Sequence, residues 1–231
     1  MKRFIHNELD TILHFTMSLV GGFLGTYAIV SRGGTFANAQ TGNIMSMTED
    51  LFGRNWIDFL VRFGALAVFA LSMAVSYLMS TYTNFHMRKL CLRVDAVALL
   101  LTAFLPDKVP GILALYPIFI ASSFQWGTYS GARGYGSATI FSTNNLKQSV
   151  LGWTQYIINH DPRTREKALL YTFTIVFFVI GTFLGCEAVV RFGHYGAFVG
   201  IFFLALAHAF IVIAESQNVR EAEEDDADVK V

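Results

Sequence analysis

Long apolar blocks, separated by short polar stretches, fill most of the chain. A helix that crosses a bilayer core needs ~20 apolar residues. Six blocks reach or approach that length, at about 11–30, 57–80, 93–106, 110–131, 168–189 and 193–214. The third is short and bounded by Asp95 and Pro106, so it either starts earlier or lies inside a bundle. Pro110 stands at a helix-start position for the fourth, and Asp161-Pro162 is a start signal for the fifth: Asp caps, Pro takes the first turn. Small residues recur four apart at Ser72/Ser76 and Gly181/Gly185, a spacing that lets helix backbones approach closely in lipid. Ordinary helix packing explains it, and a homodimer interface is the other reading.

Two segments, 31–56 and 131–160, are neither full spans nor ordinary loops. Each opens with Gly and passes through a Thr/Asn motif into a short apolar run. The motifs are Thr41-Gly42-Asn43 and Thr143-Asn144-Asn145. They are related by a shift of 102 positions, under which residues 25–46 and 127–148 share six identities in 22 places, including Gly25-Thr26-Tyr27 with Gly127-Thr128-Tyr129. A helix over 43–52 is about 15 Å long, half a bilayer core.

Three readings compete for these segments: re-entrant half-helices, surface-lying helices, or full crossings. Positive charge decides against crossing. With the N-terminus inside and neither segment crossing, twelve of the 17 Lys and Arg residues fall on the cytoplasmic side, among them Arg88, Lys89 and Arg93. Crossings would move that cluster outside. Between the remaining two we take the re-entrant form, because Gln40, Ser142 and the Thr/Asn motifs suit an interrupted helix. Three crossings separate the repeats, so equivalent segments face opposite sides. The expected fold is therefore an all-α integral membrane protein of six transmembrane helices. They form two inverted three-helix repeats, about 11–106 and 110–214, each with a re-entrant half-helix after its first helix. The two Thr motifs then meet near the midplane, where such folds bind their solutes.

Composition agrees: 54% hydrophobic, only 15% charged, mean hydropathy +0.47. A net charge of zero gives no reason to expect a nucleic-acid partner. Glu8 and Asp10 precede the first apolar run, so no cleaved signal is expected. Residues 1–214 read as one membrane domain. Residues 215–231, acidic from Glu221 to Asp228, read as a disordered cytoplasmic tail. Cys91 and Cys186 fall near opposite faces, which excludes a disulfide between them.

The run Gly21-Gly22, Gly25, Gly33-Gly34-Thr35-Phe36 and Thr41-Gly42-Asn43 resembles the YoaK-like (DUF1275) membrane protein family, over about residues 12–214. The region from Gln125 to Thr143 resembles its second half. The resemblance implies a bacterial six-helix inner-membrane protein, suspected to move a small molecule. One departure stands out: Gly25 and Thr26 occupy the place in the first helix where members often carry an acidic residue.

The chemistry expected is binding rather than catalysis. We see no nucleophile–base pair, phosphate loop, or Cys/His metal pattern, and expect no enzyme activity, cofactor or metal. Substrate contacts are expected from Gln40, Thr41, Asn43, Gln125, Thr143, Asn144, Asn145 and Lys147, with Tyr27, Tyr129 and His208 as further candidates. Asp95 and Glu187 sit near the ends of their blocks, within reach of headgroups. No acidic residue lies within one turn of either motif, and both half-helix N-termini attract negative charge. The favoured solute is therefore small and polar or anionic, carried across the cytoplasmic membrane of a bacterium with both termini inside. A passive small-solute channel is the alternative, and a non-transporting sensor or assembly factor is a third class.

Overall fold

The computed structural model describes the backbone of residues 2–228 and side chains from Glu8 to Gln217. It is almost wholly helical. The helices are α1 (Lys2–Ser31), α2 (Gln40–Phe52), α3 (Trp56–Tyr82), α4 (Met87–Phe104), α5 (Gly111–Ala114), α6 (Tyr116–Thr128), α7 (Thr143–Asn159), α8 (Pro162–Phe192) and α9 (Ala197–Asp228). A two-residue hairpin, β1 (Gly131–Ala132) with β2 (Tyr135–Gly136), precedes α7. A 3₁₀ turn (Gly193–Gly196) joins α8 to α9.

Three stretches are long and apolar enough to cross a membrane: Glu8–Ser31, Trp56–Tyr82 and Pro162–Gln217. The last contains both α8 and α9. Helix α4 begins at Met87, earlier than its apolar block, and brings Arg88, Lys89 and Arg93 into its first two turns. The fourth block is broken. Pro117 has no N–H to give the α5 carbonyls, so α5 stops at Ala114 and α6 is left with 13 residues. Asp161 caps α8 as expected, accepting from the Arg163 N–H at 3.1 Å. Helix α9 continues through 215–228, where a disordered tail was expected. Glu and Ala are good helix formers and carry the helix on. Residues 229–231 lie outside those described.

Packing partners follow the 102-residue shift. Helix α1 lies on α8, and α6 on α3. Likewise α2 rests on α3 and α7 on α8, while α9 packs on α1 and α4 on α6. Helices α1 and α8 run parallel and very close. A β-carbon at Gly181 would overlap the Leu19 carbonyl, and one at Gly22 the Phe178 carbonyl. Helices α3 and α6 meet differently, through hydroxyls on carbonyls: Tyr116 to Val61 (2.7 Å), Ser123 to Phe69 (2.6 Å) and Ser72 to Ile120 (2.9 Å).

Charged pairs gather at the two ends of the bundle. One end holds Arg133–Glu8, Arg88–Asp10 and Lys89–Glu215. The other holds Arg62–Asp50, Arg32–Asp107, His194–Asp107 and Arg191–Glu187. Between them lies a largely apolar core built on Met17, Phe23, Leu24, Leu99, Leu115 and Phe119, with a few buried polar side chains among them. Cys91 and Cys186 are both free.

Candidate functional site

The segment before each half-length helix runs into the bundle and stops near its centre. The second is the clearer case. At its start Tyr171 Oη donates to the Gly136 carbonyl at 2.7 Å. Thr139 then reaches α1 about halfway along, where a β-carbon on Gly21 would overlap its carbonyl. From there α7 returns alongside α8. Ser149 and Trp153 meet Thr172 at 2.8 and 2.9 Å, Gly152 lies on Ala168, and Asn159 ends beside the start of α8. The segment therefore enters and leaves at one end of the bundle. The first segment makes the matching excursion from the other end. Gly33 and Gly34 turn it at φ +81° and +84°, Asn38 reaches Gly25, and α2 returns along α3.

The two excursions touch. Asn38 Nδ2 donates to the Ile140 carbonyl at 2.6 Å, and 38 and 140 are equivalent positions under the repeat. Each segment is also closed internally by its motif asparagine: Asn43 to the Phe36 carbonyl (2.5 Å) and Asn145 to the Ala138 carbonyl (2.7 Å). Helices α2 and α7 both begin here. Their N-cap residues, Ala39 and Ser142, make no side-chain capping bond.

Next to this meeting point is a cavity of about 650 Å³. Asn38, Gln40, Thr41, Phe141, Thr143, Asn144 and Lys147 line it from the two segments and their half-helices, and Phe69 and Trp126 from α3 and α6. Phe141 meets the Trp126 ring edge-on, with centroids 4.7 Å apart. Lys147 is the one charged residue among the described residues lining it.

Five of the expected residues thus share one cavity: Gln40, Thr41, Thr143, Asn144 and Lys147. The other six do not line it. Asn43 and Asn145 are buried and hold their own loops. Asn145 belongs to a network in which Ser137 Oγ meets Asn145 Oδ1 (3.1 Å), Thr174 Oγ1 (3.4 Å) and His14 Nε2 (3.1 Å). Gln125 is wholly buried, its Nε2 donating to the Met17 carbonyl and to Thr139 Oγ1 at 2.8 and 3.0 Å. It holds the second segment in place instead of facing the cavity. Tyr27 and Tyr129 are buried and donate to the carbonyls of His194 (2.8 Å) and Arg88 (3.2 Å). His208 is exposed on the outer face of α9. Asp95, expected near a helix end with headgroups in reach, is wholly buried.

The sequence reading missed Asn38, Phe69, Trp126 and Phe141. Asn38 had a signal, since it is a polar residue between Ala37 and Ala39 in the repeated segment. The three aromatics had none that separated them from core residues.

These long apolar helices, with three stretches long enough to cross a bilayer, define the class: a helical protein suited to a membrane. Within that class the chain belongs to the family described as "Protein of unknown function (DUF1275)", whose model matches residues 13–212. No curated protein and no solved structure matches the chain.

Proposed function

We propose that this chain is a transporter of a small polar or anionic solute across the bacterial cytoplasmic membrane. It crosses six times as two inverted three-helix repeats, with both termini in the cytoplasm. One observation carries this reading: two half-length helices from the two repeats begin at one cavity, entered from opposite ends of the bundle. Supporting it, the charged pairs form two layers with a largely apolar core between them, as six crossings require. The ends of α2 and α7 offer unclaimed N–H groups and the positive ends of two helix dipoles. Lys147 adds a cation, and no carboxylate opposes it among the described lining residues. Thr41, Thr143, Asn144 and Gln40 supply hydrogen bonds, and the Trp126 and Phe141 rings supply a dry wall.

The test is uptake of radiolabelled small carboxylates and neutral polar solutes into proteoliposomes of purified protein. Saturable uptake that accelerates when unlabelled solute is preloaded on the far side marks a carrier. Unsaturable flux without counterflow marks the channel alternative, and no flux of any solute overturns both. Topology is tested separately. Single cysteines in a Cys91→Ala, Cys186→Ala background should be labelled from outside at Asn55 and from inside at Asn159. Labelling of Asn55 from the cytoplasm would remove the inverted repeat.

A further inference from the structure

Asp95 lies midway along α4 and is wholly buried. Its Oδ2 faces the Cys91 thiol at 3.8 Å, and its Oδ1 has no partner among the described residues. Helix α4 packs against α6, α9 and the 3₁₀ turn. Helix α6 is antiparallel to it, in a register fixed by Thr102 on the Ala114 carbonyl and Tyr129 on the Arg88 carbonyl. That register puts Ser122 level with Asp95, and Ser122 Oγ is also buried without a partner.

Among the described residues no cation faces the carboxyl. On α4 itself, Arg88 turns to Asp10 and Lys89 to Glu215 at the end of the bundle, while Arg93 is exposed on the outside. Tyr129, just beyond α6, is the nearest titratable group from that side after Cys91. On α9 the titratable group at this depth is His208, exposed on the outer face. On the 3₁₀ turn, His194 binds Asp107 at the far end. A charge here is shut off from bulk solvent with no cation beside it among the described residues, which is costly. Ionisable groups kept inside a membrane protein at such cost commonly carry protons.

We propose that Asp95 is a reversible proton-binding site, and that proton movement through it drives the solute. Uptake forms one O–H bond on the carboxyl and release breaks it, so one proton and no electron moves. Polar groups mark the way in. Cys91 lies one turn nearer the α4 N-terminus with the Thr128 hydroxyl beside its thiol. Tyr129 and Arg88 follow, and a cavity of about 320 Å³ lined by His86, Arg88, Lys89 and Glu215 lies at that end of the bundle. Helix α6 joins this site to the solute cavity. One of its faces meets α4, and from the same helix Trp126 walls the cavity while Gln125 holds Thr139.

Proton binding stands independently, and the drive of solute rests on the transport reading. The probe for binding is dicyclohexylcarbodiimide, which modifies neutral carboxyls in apolar surroundings. Applied to the purified full-length protein across a pH series, with the modified peptide mapped by mass spectrometry, it should label Asp95. Labelling should fall as the pH rises, reversibly. No label at Asp95, or a level constant from acid to alkaline pH, overturns the proposal, and neither result needs a variant. Asp95→Asn keeps the shape of the side chain and should abolish the label with little change in melting temperature. In proteoliposomes, an imposed pH gradient should accelerate uptake of a solute found by the flux screen, and Asp95→Asn should remove the acceleration. Uptake indifferent to both defeats the coupling and leaves the transporter standing. Titrating label without any solute flux keeps the proton site and defeats the transporter.

Discussion

The two half-length helices start from one motif and are held very differently. Helix α7 has 17 residues and is fastened along its length, by Ser149 and Trp153 to Thr172 and by Gly152 on Ala168. The segment before it is tied by Tyr171, Gln125 and the His14–Ser137–Asn145–Thr174 network. Helix α2 has 13 residues, rests chiefly on α3, and is anchored at its far end by Asp50–Arg62 at 2.7 Å. Its approach turns on two glycines where an added β-carbon would meet nothing within 4 Å. The repeat has therefore kept one geometry while fastening its two halves unequally: more side-chain ties hold α7 than hold α2.

The harshest way to break this contrast is to wedge the better-fastened half apart. Gly21→Ala puts a methyl into the Thr139 carbonyl, with backbone on both sides and no flexible side chain to yield. It should cost about 3 kcal/mol or more and sharply lower the yield of folded protein. Gly34→Ala meets open space, and its cost, about 1 kcal/mol, comes only from the positive φ. Thermal melting in detergent compares the two. Equal losses would erase the difference between the halves.

Next come the paired asparagines. Asn145→Ala strands Ser137 and the Ala138 carbonyl inside a buried network and should destabilise by about 2–3 kcal/mol. Asn43→Ala frees one carbonyl beside a cavity and should cost about 1 kcal/mol. The reverse order, measured by urea or thermal unfolding, would make α2 the scaffold.

Solute binding is the finer probe. Thr41→Val and Thr143→Val should each weaken binding of a solute that spans both motifs by about 1 kcal/mol, with melting unchanged. Wild-type affinity in both variants would reduce the threonines to helix-start residues. Lys147→Met should lower affinity for carboxylates by a similar amount and leave neutral solutes alone. A best ligand that is a cation, indifferent to this change, removes the anion preference.

Much of this was legible. Apolar blocks and Pro positions foretold most helices, and the shift of 102 drew attention to the two segments that lie side by side at Asn38 and Ile140. What the motif residues do was harder to see. In Thr41-Gly42-Asn43 the Thr and Asn are two positions apart, about 200° around a helix, so one faces the cavity and the other faces back. The same holds for Thr143 and Asn145. Treating each motif as a unit of contact therefore hid that Asn43 and Asn145 close their own segments. Gln125 was ambiguous for another reason: a buried amide that ties two segments and one that faces a solute look alike in sequence. The break between α5 and α6 was hidden because Pro117 sits inside an unbroken apolar run, where hydropathy records no change.

The glycine seam between α1 and α8 has a consequence for the lipid around the protein. Two helices whose backbones are this close act as one stiff beam and cannot slide or tilt apart. Helix α3 has 27 residues, about 40 Å, longer than a typical hydrocarbon core, and it meets α6 through single hydroxyls rather than backbone. A bilayer of the wrong thickness is accommodated by tilt, and here the tilt falls on α3, the helix that carries α2. Acyl-chain length should then change the rate of uptake while leaving the beam untouched. Uptake that peaks at one chain length, with melting temperature flat across the series, would show the membrane itself acting on the cavity.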